Sequence, residues 1–204
     1  MRSFLRDNGL TIALATLFGI SILGMAAAGF ASYNEELAKH GEAPLPLLQY
    51  LISGQFLSAL FENWESEFLQ MGVYVVLTAW LFQRGSAESR DPDEEKLEKE
   101  RIGQPSFLYS HSLGLTLFGL FIASFLLHWF GSARASEMEM ARHGAASTGY
   151  LQYLLDAELW FESFQNWQSE FLSTAVLVVL SIFLREKGSP ESKPVSAPDE
   201  QTGS

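Results

Sequence analysis

Eight polar residues have the types and spacing that could bind a cation or a proton. Asn63, Ser66 and Glu67 stand at i, i+3 and i+4, so on a helix they share one face. The same types recur 103 positions later, and one further turn adds an amide and a hydroxyl. We call this set the polar stripe, and its members are Asn63, Ser66, Glu67, Gln70, Asn166, Ser169, Glu170 and Ser173.

The carboxylates of the polar stripe are Glu67 and Glu170. A carboxylate inside a membrane is costly, so we expect both to face the interior of a helix bundle or a wet cavity. If they approach each other, they could hold a cation or share a proton. Two alternatives stay open. The stripe could hydrogen-bond the helices together, or it could form a surface for a partner or ligand.

Two Glu–His pairs at i, i+4 form a second candidate site. Glu36 with His40 and Glu139 with His143 could together bind zinc or another divalent metal. Each His directly precedes a Gly, however, as expected at the end of a helix, and the Glu one turn back can pair with it. Capping is the preferred interpretation, so no metal or other cofactor is predicted. His128 lies in an apolar segment and is interpreted as a hydrogen-bonded bundle residue rather than a haem ligand.

One block of sequence occurs twice. Trp64 aligns with Trp167 at an offset of 167 − 64 = 103, and this offset aligns the two blocks without a gap. About 30 of roughly 82 aligned positions are identical. Two acids of the first block, Glu62 and Glu65, become Gln in the second, and we interpret them as exposed. The pattern predicts a tandem duplication of a two-helix unit.

Four mostly apolar stretches predict the membrane spans, at roughly residues 10–30, 68–82, 112–131 and 171–184. The first and third reach about 20 residues, which is enough to cross a hydrocarbon core of about 30 Å. The other two are shorter, so the turns before them are expected to enter the outer leaflet. The prediction is an all-α membrane protein with four transmembrane helices and amphipathic helices on the outer face.

The basic residues predict the orientation. Ten of the 13 Lys and Arg residues lie at the termini and in the central loop, and three lie on the other side. Both termini are therefore expected in the cytoplasm. The basic, apolar start also resembles a cleaved signal. The internal copy of the same apolar segment favours a retained first span instead.

Composition narrows the classes of function. The net charge of −11 argues against nucleic acid as a partner. The chain has no Cys, which excludes disulfides and thiolate metal sites. No nucleophile–base pair, phosphate loop or dinucleotide motif is present, so the chain is not predicted to be an enzyme. The partners expected are the lipid bilayer and a second copy of the chain or another membrane protein.

The chain is predicted to divide into four regions: a first two-helix repeat (1–84), a cytoplasmic linker (85–106), a second repeat (107–187) and a disordered tail (188–204). Within the linker, the run from Asp91 to Glu95 is typical of a helix start, and it predicts a short helix through about Arg101. The tail is rich in Ser, Pro, Gly and Glu, a composition typical of disorder.

Three segments carry a resemblance to known proteins: the stretch Tyr33–Glu36, the block Phe61–Gln70 and the stretch Arg84–Ser89. At these segments the chain resembles a family of small bacterial membrane proteins of unknown function. The resemblance covers roughly residues 1–192 and implies a bacterial inner-membrane protein, but it supplies no activity.

Beside a metal or redox protein that would use His40 and His143 at the outer face, two functional interpretations stay open. The leading one is a non-enzymatic protein whose acidic outer face binds a partner or organises an assembly. The alternative is a small channel or carrier for a cation or proton that uses Glu67 and Glu170.

Overall fold

The computed structural model describes residues 2–93, 106–146 and 149–203. These residues form eight helices and no strand. In chain order the helices are α1 (Arg2–Asp7), α2 (Gly9–Lys39), α3 (Leu47–Leu51), α4 (Gly54–Trp80), α5 (Phe107–Ser110), α6 (Ser112–Arg142), α7 (Tyr150–Tyr153) and α8 (Ala157–Phe183).

The bounds of the long helices repeat along the chain. Helices α2 and α6 both have 31 residues, and α4 and α8 both have 27. The first residues of each pair differ by 112 − 9 = 103 and 157 − 54 = 103. Each long pair is joined through a short helix, α3 or α7. We call the end of the molecule where α3 and α7 lie the α3/α7 end, and the opposite end the tail end.

Local sequence explains where the long helices stop and start. After α2 and α6, Gly41 and Gly144 adopt φ of 73° and 67°, a left-handed conformation that favours glycine. The expected caps at these two positions are thus observed. Helix α4 begins after Ser53, whose Oγ accepts from the Phe56 N–H, and α8 begins after Asp156, whose carboxylate accepts from the Glu158 N–H.

Helix α4 is the centre of the packing, chiefly against α6 and then against α8. The backbones of α4 and α6 touch at two glycines. A Cβ atom on Gly54 would lie 2.6 Å from the Gly131 carbonyl oxygen, and one on Gly131 would lie 2.5 Å from the Ser58 nitrogen. Small residues permit this close approach between helices. It sets the register that brings polar side chains of α4 beside those of α6.

Aromatic and apolar side chains fill the α3/α7 end in both halves. Tyr50 of α3 and Tyr153 of α7 are each 4% exposed. Tyr50 packs with Tyr33 and Leu37 of α2, whereas Tyr153 packs with Leu159 of α8. The short helices are therefore anchored to the long ones by buried rings.

Two helices are long and apolar enough to cross a membrane, Gly9–Lys39 and Ser112–Arg142. This is compatible with a membrane protein. Helices α4 and α8 have enough length but carry acidic residues in their first halves.

The described residues of the tail, for which the composition predicts disorder, contact the loop after α4. Lys193 is 1% exposed, and its Nζ lies 2.6 Å from the carbonyl oxygen of Gly85. Three tail carbonyls, those of Pro198, Asp199 and Gln201, lie within 3.4 Å of the same nitrogen. The buried ammonium fixes the tail against the loop after α4, a long-range contact that composition does not reveal. The helix predicted from Asp91 through about Arg101 lies mostly outside the described residues, and residues 91–93, which are described, are not helical.

Candidate functional site

The first half of the polar stripe stays largely within its own helix. The Asn63 side chain is exposed and donates to the Ala59 carbonyl at 2.8 Å. Ser66 is buried and donates to the Asn63 carbonyl at 2.8 Å. Glu67 is exposed rather than turned into the bundle. Gln70 reaches across to α8, where it donates to Thr174 Oγ1 at 2.5 Å.

The second half of the stripe behaves in the same way, with one exception. Ser169 and Ser173 are exposed and donate to carbonyls of α8 itself. Glu170 is half-buried and close enough to Glu67 for their charges to interact. Asn166 is the exception, because its amide donates to Glu62 Oε1 on α4. The stripe therefore does not converge into one site.

A different set of side chains meets where α4, α6 and α8 come together. Glu65 of α4 and His128 of α6 are both 0% exposed, and His128 Nδ1 lies 2.8 Å from Glu65 Oε2. The other ring nitrogen, Nε2, lies 3.2 Å from Glu162 Oε2 on α8. Trp167 Nε1 donates to Glu65 Oε1 at 3.0 Å. We call Glu65, His128 and Glu162 the buried triad.

Hydroxyl groups complete the surroundings of the buried triad. Ser132, one turn after His128, donates to Glu162 Oε2 at 3.2 Å. Ser132 in turn hydrogen-bonds Ser58 of α4. Since buried polar groups are costly without partners, this set of bonds explains how charged side chains are accommodated between helices.

The contacts of the imidazole fix the charge of the triad. An ionised carboxylate only accepts, and a neutral imidazole donates from one nitrogen alone. Both ring contacts therefore require either an imidazolium with two carboxylates, or a neutral ring with one carboxylate and one carboxylic acid. The net charge is −1 in both cases. Glu62, close by on α4, adds a carboxylate whose described side-chain partner is the neutral amide of Asn166.

The triad residues are those that the two sequence blocks do not share. In the sequence alignment at the offset of 103, Glu65 is aligned with Gln168, His128 with Met25 and Glu162 with Ala59. Selecting the polar residues common to both blocks therefore missed them, and the interpretation of Glu65 as exposed is wrong. The available signal was His128 itself, because a histidine within an apolar segment needs hydrogen-bond partners on other helices. Its interpretation as a hydrogen-bonded bundle residue is confirmed.

A cavity of about 360 Å³ opens beside the triad at the α3/α7 end. Its lining includes five carboxylates, Glu36, Glu62, Glu139, Glu158 and Glu162, and the guanidinium of Arg142. Arg142 already pairs with Glu42 at 2.9 Å and with Glu139 at 3.2 Å. The excess of carboxylates leaves this acidic cavity with a negative charge that a cation would offset.

The Glu–His pairs lie at the helix ends and apart from the triad. His143 Nε2 lies 2.7 Å from Glu139 Oε1, and both side chains are more than half exposed. His40 is exposed at the end of α2, and Glu36 lines the acidic cavity. Among the described residues, no group of three or more His, Asp or Glu side chains has the arrangement of a metal site.

The chain belongs to the DUF6766 family, a domain of unknown function whose model matches residues 1–204. No curated protein and no solved structure matches the chain.

Proposed function

We propose that this chain is a bacterial inner-membrane protein of four spans, formed by tandem duplication of a two-helix unit, with both termini in the cytoplasm. The common offset of 103 in sequence and in helix bounds supports the duplication. The Lys and Arg asymmetry supports the orientation. In this arrangement the α3/α7 end faces outward and the tail end faces the cytoplasm.

The orientation can be tested by cysteine labelling, since the natural chain has no Cys. Ala43 and Lys187 are exposed at opposite ends of the helices. In intact cells, a membrane-impermeant thiol reagent should label Ala43→Cys and leave Lys187→Cys unlabelled until the cells are opened. Labelling of Lys187→Cys in intact cells would reverse the orientation.

The role that we propose is non-enzymatic binding of a positively charged segment of a partner protein at the acidic cavity. The observation that carries the proposal is the cavity's excess of carboxylates over basic groups. Glu62 and Glu158 have no ion pair among the described residues, so a Lys or Arg side chain could pair with either. Such electrostatic complementarity gives specificity and speeds association.

A basic peptide tests this role directly. The full chain in nanodiscs should bind a fluorescent tri-lysine peptide, and the affinity should fall as ionic strength rises because salt screens the attraction. Glu62→Gln and Glu158→Gln should each weaken binding by about three- to tenfold. Glu67→Gln is the matched control, since it makes the same change at an exposed position of the same helix. Equal losses from Glu62→Gln and Glu67→Gln would contradict the proposal.

A second candidate function is passage of a proton or a small cation. The observation that favours it is the buried triad, since chains of carboxylates and imidazole carry protons in membrane pumps. In liposomes, Glu65→Gln should then abolish a flux that Glu67→Gln leaves intact. Loss of flux from Glu67→Gln or Glu170→Gln alone would instead favour the pair suggested by the repeated sequence.

A further inference from the structure

The tail is held against the loop after α4 by contacts of two kinds, and the first kind involves no acid. The Lys193 ammonium donates to the Gly85 carbonyl at 2.6 Å. The Gly85 N–H donates to Thr202 Oγ1 at 2.9 Å, and the Gly203 N–H donates to the Ser86 carbonyl at 2.9 Å. Ammonium, hydroxyl and peptide groups keep their protons at neutral and mildly acidic pH. These contacts therefore do not change with pH in this range.

The contact of the second kind joins two carboxyl groups, Glu88 of the loop and Glu191 of the tail. Their side chains hydrogen-bond each other, and both residues line a cavity between the loop and the tail. Glu88 also accepts from the Tyr74 hydroxyl at 2.9 Å through Oε2. Its Oε1 is buried and accepts from no N–H or hydroxyl group of the described residues. The loop acid is thus held by α4 and contacts the tail through a second acid.

A hydrogen bond between two carboxyl groups requires a proton on one of them. An ionised carboxylate only accepts, so two ionised carboxylates cannot form this bond. When both Glu88 and Glu191 are ionised, two negative charges lie side by side and repel each other. The same pair therefore attracts the tail to the loop when it holds one proton, and repels the tail when it holds none.

The surroundings of the pair favour the proton over a cation. The basic side chains nearby are engaged by other acids or by carbonyl groups, and they are Arg84, Arg90, Arg185 and Lys193. Asp91, on the same loop, adds a further acid to the cavity wall, and the last two turns of α8 carry no titratable side chain. Burial raises the pKa of Glu88 above its usual range, the hydrogen bond from Tyr74 opposes this, and Glu191 raises the pKa further.

We propose that Glu88 and Glu191 form a proton-dependent latch, which fastens residues 188–192 to the loop after α4 in acid and releases them as pH rises. The fastened tail holds a proton that the released tail does not hold. Fastening is therefore strongest below the ordinary pKa of a glutamate, and it weakens as pH rises through the raised pKa of Glu88. Lys193 keeps the rest of the tail in place at either pH. The latch lies at the tail end, so it does not depend on the role proposed for the acidic cavity.

A spin label on the tail measures the latch directly, since the natural chain has no Cys. Pro190 is exposed and precedes Glu191, so a nitroxide on Pro190→Cys reports whether this segment is fastened. Electron paramagnetic resonance spectra are recorded on the full chain in nanodiscs. The mobile fraction of the nitroxide should rise by at least about threefold between about pH 5 and about pH 8. An unchanged mobile fraction over this range would overturn the proposal.

Three variants in the labelled chain assign the effect to the carboxyl pair. Glu191→Gln places an amide donor beside Glu88 at any pH, so the nitroxide should stay immobile across the whole range. Glu191→Ala removes the donor and should leave the nitroxide mobile across the whole range. Glu186→Gln, the same change at an exposed acid after α8, should keep the natural pH profile. A natural pH profile in Glu191→Gln, or its loss in Glu186→Gln, would overturn the latch.

Discussion

Glu65 and Glu67 stand two residues apart on α4, yet their surroundings are opposite. Glu65 is fully buried, with an imidazole on one oxygen and an indole N–H on the other. Glu67 is exposed and was the more attractive candidate, because the second sequence block repeats it. The difference teaches that recurrence in both blocks does not identify the residues of the buried triad. The triad residues differ between the blocks, and they lie where α4 of the first half meets α6 and α8 of the second.

The largest loss of stability is expected when the imidazole of His128, which contacts both Glu65 and Glu162, is removed. His128→Ala leaves Glu65 buried without its imidazole partner, and removing one member of a buried pair costs about 3–5 kcal/mol. The matched control is His111→Ala, since His111 is exposed at the start of α6. Thermal unfolding of the purified protein in detergent should show a large loss for the first variant and little change for the second. Similar midpoints for both would place His128 outside a charged network.

The next largest loss of stability is expected at the close contact between α4 and α6, which places Glu65 beside His128. A Cβ atom on Gly131 would lie 2.5 Å from backbone of α4, so Gly131→Ala must push the helices apart, at a cost of about 1–3 kcal/mol. Gly119→Ala, on the same helix, meets nothing within 4 Å and should be neutral or slightly stabilising, because Ala favours helix. Equal shifts of the unfolding midpoint for the two substitutions would contradict the close packing of α6 against α4 at Gly131.

A smaller difference in stability is expected between substitutions of Trp64 and Trp167, the two tryptophans that align at the offset of 103. Each packs against an equivalent ring, Phe18 for Trp64 and Phe121 for Trp167. The indole of Trp167 additionally donates to Glu65. Trp167→Phe should therefore destabilise the protein by about 1–2 kcal/mol more than Trp64→Phe, through the unpaired carboxylate oxygen. A greater loss from Trp64→Phe would contradict a stabilising role of the hydrogen bond from Trp167 to Glu65.

The smallest effect on global stability is expected at the tail. Lys193→Ala removes the ammonium that gathers four backbone carbonyls, so residues 188–203 should become accessible to protease while the unfolding midpoint of the helices changes little. Lys187→Ala, at an exposed position, is the control. Unchanged cleavage of the tail in Lys193→Ala would mean that the ammonium does not hold it.

Local signals predict the helix ends well and the site poorly. The Gly after each Lys-His or Arg-His sequence predicts the ends of α2 and α6, because left-handed caps depend on adjacent residues. The buried triad depends on the pairing of α4 with α6 instead, and this contact joins the two halves of the chain. Nothing within either block specifies that partner, so Glu65 could not be distinguished from Glu62 or Glu67 by spacing alone. The contact between the tail and the loop after α4 could not be predicted for the same reason, since one carbonyl acceptor of Lys193 lies far away in sequence at Gly85.

A double-mutant cycle tests most directly which carboxylate of α4 belongs with His128 to the buried triad. Unfolding free energies are measured for Glu65→Gln, His128→Asn and the double variant, and in parallel for Glu67→Gln with His128→Asn. Contacting residues couple by about 0.5–3 kcal/mol, whereas independent sites add to within about 0.5 kcal/mol. We expect clear coupling of His128 to Glu65 and additivity with Glu67. Coupling of His128 to Glu67 with additivity at Glu65 would contradict the assignment of Glu65 to the buried triad.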